Sequence, residues 1–303
     1  MTDGTSAAFS LCEACRTGDV VKALEATTRY GPTSGRGAGA EDDHESPPST
    51  IDATDGEGRT ALHWAIAHKQ PALAAALMKE HGASAATVDE SGTTPLMTAC
   101  AVQVPLELLE LLLSCAPPPT PLTPRTAAAI RERNVAPSEF CGVRDAPSAT
   151  AGDTAAAPAE DRAPGAAASG SGVVPPLALA WVNRQDENGN TALLLAASRG
   201  YRQAMRLLLA AGADPFVMNV RGQTCLHRVV GRGDIPLVEE LVSHVRKHHM
   251  KHTKRFVNAQ DRNGDTALHY AAMENNRELG EALLRNGADR DVKNRQGKEF
   301  WQL

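Results

Sequence analysis

The chain of 303 residues has few aromatic side chains, few cysteines and no long apolar run. Aromatic residues make up 4% of it, so a buried core has to come mainly from Leu, Val and Ala. No stretch approaches the roughly 18 consecutive apolar residues of a transmembrane helix. The opening residues MTDGTSAAF contain neither a basic nor an apolar region, which argues against a signal peptide. We therefore expect no membrane insertion.

The six cysteines do not have the close spacing of a disulfide framework. Only Cys12 and Cys15 lie near each other, and two interpretations of them stay open. They are half of a zinc site, although no second pair at ligand spacing follows, or they pack as small apolar side chains on one helix face, which we favour. Unpaired cysteines are typical of a reducing compartment, so we expect a cytoplasmic or nuclear location.

The net charge of −5 hides an uneven distribution along the chain. Residues 1–181 carry 12 Lys and Arg against 22 Asp and Glu, whereas residues 182–303 carry 19 against 14. Residues 244–255 contain five Lys or Arg and no acid. The charge of the whole chain disfavours nucleic acid as the partner, and this basic stretch leaves an anionic surface open as an alternative.

Five segments follow one pattern: GRTALHWAIA from Gly58, GTTPLMTACA from Gly92, GNTALLLAAS from Gly189, GQTCLHRVVG from Gly222 and GDTALHYAAM from Gly264. A sixth begins at Gly297 as GKEFWQL. The spacings between the glycines are 34, 97, 33, 42 and 33 residues. A period near 33 with two insertions predicts a solenoid of stacked repeats.

Each unit predicts a turn, a short helix, a second turn and a longer helix. A short polar residue stands three positions before each glycine, where it can bond its own backbone: Asp55, Asp89, Asp186, Asn219 and Asp261. The Thr that follows the glycine is expected to cap the short helix. Gly212 and Gly287 come just after Leu-rich stretches and are expected to end the longer helices.

These units resemble ankyrin repeats, whose signature is T-P-L-H-x-A. The matching stretches are Thr60–Ala65, Thr94–Ala99, Thr191–Ala196, Thr224–Val229 and Thr266–Ala271. The resemblance implies an all-α ankyrin solenoid of five repeats with projecting turns. In the family the signature His ties neighbouring turns together. Met97 and Leu194 replace that His here, and Val229 replaces the signature Ala.

The domain organisation that we predict alternates repeats with insertions. It comprises an N-terminal capping repeat (1–29), a disordered acidic and Gly-rich linker (30–51), repeats 1 and 2 (52–116), a disordered insertion (117–180), repeats 3 to 5 (181–293) and a C-terminal cap (294–303). The insertion holds 17 Ala and 11 Pro in 64 positions, which disfavours long helices and sheets. An alternative is that residues 123–136 are a decayed repeat. In the C-terminal cap, Phe300 and Trp301 are expected to cover the last helix pair.

No motif of an enzyme stands out. The GRGAG stretch at residues 35–39 follows no strand and opens no helix, so it reads as a linker rather than a phosphate loop. The stretch from Asp261 begins like a calcium loop but has Thr266 and Ala272 where that loop needs Gly and Glu. We predict no catalytic residue, no cofactor, no bound metal and no small-molecule substrate.

The basic stretch contains His244, His248 and His252 at spacings that place them on one helical face. Three interpretations stay open: a metal site, which the flanking cations disfavour; a lengthened, solvated helix followed by an exposed loop; and contact with an anionic partner, either phosphate or acidic protein. The anion-contact candidates are Arg246, Lys247, His248, Lys251, His252, Lys254 and Arg255.

The function that the resemblance implies is a non-enzymatic scaffold or adaptor that binds a partner protein on its concave face. Partners of the family usually contact turn tips and exposed positions of the first helix. Those positions here are Arg59, Glu90, Thr93, Glu187, Asn190, Arg199, Arg221, Gln223, Arg232, Arg262 and Asp265. The turns from Gly189 to Gly264 are expected to form one continuous face, and its recurring arginines favour an acidic partner. Two alternatives are an accessory region of a larger enzyme and a binder of nucleic acid or lipid through residues 244–255.

Overall fold

The computed structural model describes residues 11–17, 22, 50–115 and 181–303. The predicted insertion at 117–180, the decayed-repeat alternative at 123–136 and nearly all of the linker at 30–51 lie outside the described residues. Of the predicted N-terminal cap, the helical residues 11–17 and residue 22 are described.

Each repeat contributes a short first helix and a second helix. The first helices are α1 (Ala61–Ala67), α3 (Pro95–Val102), α5 (Ala192–Arg199), α7 (Cys225–Val230) and α10 (Ala267–Met273). The second helices are α2 (Pro71–Lys79), α4 (Leu106–Ser114), α6 (Arg202–Ala210), α8 (Ile235–His248) and α11 (Arg277–Arg285). The array also contains a further helix, α9 (Thr253–Val257), and 3-10 turns at Thr50–Asp52, Met250–His252 and Phe300–Gln302. The described residues contain no strand, and the all-α solenoid predicted from the sequence is confirmed.

The turn before each first helix is built as its sequence predicts. In repeat 4, Asn219 Oδ1 accepts from the amides of Arg221 and Gln223 at 2.9 and 3.0 Å. Gly222 has a φ of +75°, a left-handed conformation that glycine adopts without the penalty of a Cβ. Thr224 then precedes α7, with its hydroxyl 2.9 Å from His227 Nδ1. A few consecutive residues therefore both form the turn and cap the start of helix α7.

Small side chains let the first helices approach one another closely. Ala196 and Ala197 in repeat 3 and Ala267 in repeat 5 are fully buried, and Leu268, next to Ala267, is 1% exposed. The first helices are in closer contact with each other than the second helices are. The turn tips and the exposed positions of the first helices therefore line one surface.

Buried side chains bear on the predicted linker and on the two interpretations of the N-terminal cysteines. Ile51 is 5% exposed in the 3-10 turn at Thr50–Asp52, so the ordered array begins before the predicted end of the linker. Cys12 and Cys15 are also buried, which favours the packing interpretation over half of a zinc site. Burial raises the pKa of the Cys12 thiol to about 11 and that of Cys15 to about 12, so both remain protonated at neutral pH.

The C-terminal cap covers the last repeat less completely than predicted. Phe300 is half-buried and packs against the core, whereas Trp301 is 55% exposed. The two rings meet edge to face with centroids 5.1 Å apart. Both rings line a hollow against α10 and α11 together with Leu268, but Trp301 leaves more than half of its surface uncovered.

Candidate partner-binding surface

Backbone hydrogen bonds join the tips of all six described turns. Amide groups at each tip donate to the tip before it: Glu90 to Glu57 at 3.1 Å, and Glu187 to Ser91, Val220 to Asn188, Arg262 to Arg221 and Arg295 to Asn263 at 2.9 Å each. The continuous edge therefore runs from the turn of Gly58 to that of Gly297, which is longer than the stretch predicted from the sequence. Its rigidity comes from the backbone and fixes the spacing of the side chains that project from it.

Side chains strengthen the junction between repeats 2 and 3, across which the insertion lies in sequence. Gln103 Nε2 donates to the carbonyl oxygen of Arg199 at 3.0 Å. The hydroxyl of Tyr201 donates to the carbonyl oxygen of Val104. Repeats 2 and 3 are thus stacked as directly as the repeats that follow one another without interruption.

The signature histidines bridge from one repeat to the next turn. Nε2 of His63 donates to the carbonyl oxygen of Thr93 at 3.1 Å, and that of His227 to the carbonyl oxygen of Asp265 at 3.3 Å. Burial lowers the pKa of both imidazoles, so they stay neutral at pH 7. Met97 and Leu194 stand at the same position, where their side chains are buried in the core without such a tie.

Most of the predicted contact residues lie on the surface. The exposed ones are Glu90, Glu187, Arg199, Arg221, Arg232 and Arg262, and the partly exposed ones are Arg59, Thr93 and Asn190. Arg59 is already engaged within the chain, because its guanidinium lies 3.2 Å from Glu57, 3.6 Å from Asp89 and over the ring of Trp64. It has less capacity left for a partner than the other arginines.

Two of the predicted contact residues face the interior of the array. Gln223 is 9% exposed, and its Nε2 donates to the Tyr270 hydroxyl at 2.7 Å. Asp265 is 5% exposed, and its Oδ1 accepts from Asn294 Nδ2 at 2.9 Å. Both side chains tie one turn to the next repeat, so assigning them to the partner surface was wrong.

Arg228 is a candidate contact residue that the sequence analysis missed. It follows the signature His227 on α7, at the position that Trp64 holds in repeat 1 and Tyr270 in repeat 5. Those two rings each donate to the Asp of their own turn, Trp64 to Asp55 at 2.7 Å and Tyr270 to Asp261 at 2.9 Å. The turn of repeat 4 has a neutral Asn in place of that Asp, which was the available signal.

The guanidinium of Arg228 consequently has no carboxylate to balance it. Its Nε is buried and makes no hydrogen bond to any described residue. Burial lowers the pKa of Arg228, and the positive charge of Arg221 lowers it further. A partly buried cation with an unsatisfied donor is costly unless a binding partner supplies an acceptor.

The second helices of repeats 3 and 5 offer a direct contrast. Their four arginines all lie in ion pairs: Arg202 with Asp234, Arg206 with Glu240, Arg277 with Glu281 and Arg285 with Glu239. Five arginines on the first helices and tips of repeats 3 to 5 have no carboxylate within ion-pair distance in the described part of the chain: Arg199, Arg221, Arg228, Arg232 and Arg262. We call these five residues the arginine face.

The three histidines of the basic stretch do not share a helical face. Helix α8 ends at His248, and His249 leaves the helical conformation with φ −136°. The rings of His244 and His248 lie 4.5 Å apart, whereas His252 packs beside Phe216 with centroids 6.1 Å apart. The described residues contain no cluster of three or more metal-ligating side chains.

The stretch after α8 is exposed over most of its length, as one interpretation expected, but it forms a 3-10 turn and the short helix α9 rather than a loop. Phe256 and Val257 on α9 are each 1% exposed and anchor it to the core. The lengthened helix is confirmed, since α8 has 14 residues and the other second helices have nine. All seven anion-contact candidates, Arg246, Lys247, His248, Lys251, His252, Lys254 and Arg255, are exposed.

Comparison with known proteins agrees with this geometry. The family model "Ankyrin repeats (3 copies)" matches residues 11–121, 165–249 and 207–294. The chain belongs to the ankyrin-repeat family. The ankyrin repeat domain of Bcl-3, a solved structure, superimposes with a TM-score of 0.57 at 21% identity, covering 96% of this chain and 91% of that one. This likeness is one of fold.

Similar proteins in the curated set are much longer than the matching region. A transient receptor potential cation channel subfamily A member 1 homolog of Caenorhabditis elegans is 34% identical over 37% of this chain and 9% of its own length. Human neurogenic locus notch homolog protein 1 is 31% identical over 37% of this chain and 5% of its own length. The ankyrin array spans a small part of each of these relatives. Among the described helices, none is both long and apolar enough to cross a bilayer.

Proposed function

We propose that the chain is a non-enzymatic protein-interaction scaffold whose arginine face binds an acidic segment of a partner protein. Ankyrin repeats are protein-interaction modules in general, and the concave side of this array carries the feature that supports a finer assignment. That feature is the set of five arginines without a carboxylate, in contrast to the second-helix arginines of repeats 3 and 5, which are all paired.

The chemistry of the guanidinium favours a carboxylate as the group that it binds. Its planar fork forms two parallel hydrogen bonds with Asp or Glu, and such charge-assisted bonds contribute about 1.5–3 kcal/mol each. Arg228 is partly buried in the middle of α7, while Arg221 and Arg262 stand at adjacent turn tips. An acidic side chain bound at Arg228 would therefore have further cations on the turn side.

Arg199 and Arg232 extend the face along the ends of the first helices. Nη1 of Arg232 donates to the carbonyl oxygen of Ser198 at 3.2 Å, which places its guanidinium beside Gly200 at the end of α5. The two cations thus come from consecutive repeats but lie at one end of the surface. A partner segment running along the first helices would meet cations at the tips, in the middle and at this end.

A second candidate is that the array regulates a larger protein of which it is one region. The lengths of the relatives favour it, because the matching ankyrin region covers 9% of one and 5% of another. Sequencing the full-length transcript tests it: a catalytic domain in the same open reading frame would support it. We further propose a cytoplasmic or nuclear location, on the basis of the unpaired cysteines.

Affinity capture with matched variants tests the scaffold. The wild-type chain and the variant with Arg199→Ala, Arg221→Ala and Arg232→Ala are each used to retrieve partners from lysate of the source cells. The control replaces Arg202, Arg206 and Arg277 by Ala, which removes the same charge from paired positions. We expect the face variant to lose the wild-type partners and the control to keep them. Retention of the same partners by both variants would contradict the proposal.

A further inference from the structure

A second charged surface lies on other elements of the array. We call residues 244–255, from the end of α8 through the 3-10 turn into α9, the basic knob. It contains five Lys or Arg and four His without a single acid. Because it follows a second helix, it is built from different elements than the arginine face on the first helices and turns.

Apolar packing beneath the knob holds its backbone in place. The ring of Phe216 lies edge-on to His249, His252 and Phe256, with centroids 5.4, 6.1 and 5.5 Å away. Val245 and Phe256 are buried at the two ends of the stretch. The charged side chains are therefore displayed from an ordered base rather than from a loop that must fold on binding.

The knob cations are not neutralised by the described part of the chain. Arg246 bonds only the neutral amide oxygen of Asn286, at 2.7 Å, and no carboxylate lies within ion-pair distance of any Lys or Arg of the knob. The carboxylate of Glu239, on the same helix α8, pairs with Arg285 at 3.6 Å and not with a cation of the knob. A concentrated positive field remains at the surface.

An apolar side chain stands at the tip of this field. Met250 opens the 3-10 turn between His249 and Lys251 and is 75% exposed, the highest fraction of any large hydrophobic side chain in the described residues. Cations surrounding one projecting apolar group match the boundary of a bilayer, where phosphates lie outside and acyl chains begin beneath. Binding to nucleic acid would give Met250 no apolar environment, and residues 244–255 contain no Phe, Tyr or Trp ring for bases to stack on.

We propose that the basic knob binds the surface of an anionic lipid bilayer. Its Lys and Arg side chains bond headgroup phosphates, and Met250 enters the interface between them. The knob would hold the array at a membrane while the first helices and turn tips remain available to a protein. The proposal goes beyond the scaffold function and does not depend on it.

Vesicle sedimentation with the full chain tests this. The probes are phosphatidylcholine vesicles with and without phosphatidylserine, at low and high salt. The wild-type chain is expected to bind only the vesicles that contain phosphatidylserine, and less well as salt rises. Lys247→Gln with Lys251→Gln should weaken binding roughly 25-fold, since each cation near an anionic surface contributes about fivefold. Met250→Asp should weaken it at least fivefold.

Matched controls separate the knob from general charge effects. Lys79→Gln with Lys298→Gln removes the same charge at exposed positions elsewhere, and Met273→Asp changes another methionine, 51% exposed. Both controls, and the triple variant of the arginine face, should bind within about threefold of the wild type. All variants should have the same melting temperature as the wild type, because the altered side chains are exposed.

Three outcomes would overturn the proposal. The wild-type chain would fail to bind phosphatidylserine vesicles, or the knob variants would bind as well as their controls. In the third outcome, Lys247→Gln with Lys251→Gln would weaken vesicle binding while Met250→Asp would not. A DNA or RNA oligonucleotide would also release the chain from the vesicles. That result would identify a site for nucleic acid instead of a membrane.

Discussion

The backbone amide of Glu187 donates to the carbonyl oxygen of Ser91 at 2.9 Å, although the whole insertion lies between them in sequence. The same type of bond joins every other pair of adjacent turns, at 2.9 to 3.1 Å. Repeat 3 is therefore positioned by repeat 2 as if the insertion were absent. Continuity of the edge formed by the turn tips depends on this contact, which no local sequence pattern predicts.

Deleting residues 117–180 and joining the ends with a short Gly and Ser linker should leave the array folded. The free energy of unfolding should change by no more than about 1–2 kcal/mol, because loop length contributes only logarithmically. Chemical denaturation of both chains measures the change. A much larger loss would mean that part of the insertion, such as the decayed repeat considered at 123–136, packs against the repeats.

Gly222→Ala should destabilise the array more than Gly297→Ala. Both glycines have φ of +75°, so each substitution costs about 1–2 kcal/mol for the left-handed conformation. A Cβ at Gly222 would lie only 2.8 Å from the amide nitrogen of Arg262 in the next turn, whereas one at Gly297 would meet nothing within 4 Å. Equal losses in denaturation midpoints would mean that the turn tips are not in the close contact described.

Leu268→Ala should lower the free energy of unfolding by roughly 2–5 kcal/mol, because it leaves a cavity between adjacent repeats. Leu268 is 1% exposed. Gly231→Ala is the mild counterpart: Gly231 ends α7 with φ −62°, and a Cβ there would lie 3.5 Å from the nearest atom, an ordinary contact. If denaturation midpoints shift equally little for both, the assigned register of the repeats is wrong.

Stability should fall as pH is lowered through the range where the unfolded chain's histidines gain protons. Burial lowers the pKa of His227 in the folded state below its ordinary value near 6.5, so the unfolded state binds the proton first as pH falls. The contribution is complete above about pH 7 and is lost progressively below 6.5. For one such group the free energy of unfolding falls by at most about 1.4 kcal/mol per pH unit in that window.

His227→Leu isolates this contribution, since Leu194 fills the same position in repeat 3. The variant loses the bond to the carbonyl oxygen of Asp265 at every pH. The quantity to compare is therefore the slope of the free energy of unfolding against pH, and not its absolute value. Between pH 7.5 and 5.5 its free energy of unfolding should fall less than that of the wild type. Identical slopes would show that His227 is not held neutral by the fold.

The sequence predicted what depends on local chemistry. The turn residue Asn219, the left-handed Gly222 and the cap Thr224 act within a few positions of one another, and the structure has them as expected. Gln223 was misassigned because its partner, the Tyr270 hydroxyl, belongs to the next repeat. Side-chain burial between repeats depends on such distant neighbours, which a single repeat does not reveal.

Arg228 and His252 illustrate two further limits. In repeats 1 and 5 the ring at this position, Trp64 or Tyr270, bonds the Asp of its own turn. Arg228 stands out only once it is known that its own turn has no such Asp. His252 was placed on the face of His244 by its spacing alone, but α8 ends at His248. Phe216 and Phe256 contact the residues that follow, and this packing, contributed in part by another segment, overrides the helical period.

The arginine face is proposed to recognise carboxylates on a partner segment. A peptide array that pairs Asp- and Glu-containing sequences with their Asn and Gln counterparts measures this most directly, read out by binding of the purified chain. We predict selective binding of the acidic members, loss of at least tenfold in affinity in Arg228→Gln combined with Arg221→Gln, and little change in Arg202→Gln combined with Arg277→Gln. Equal binding of acidic and amide peptides, or equal loss in both variants, would contradict the account.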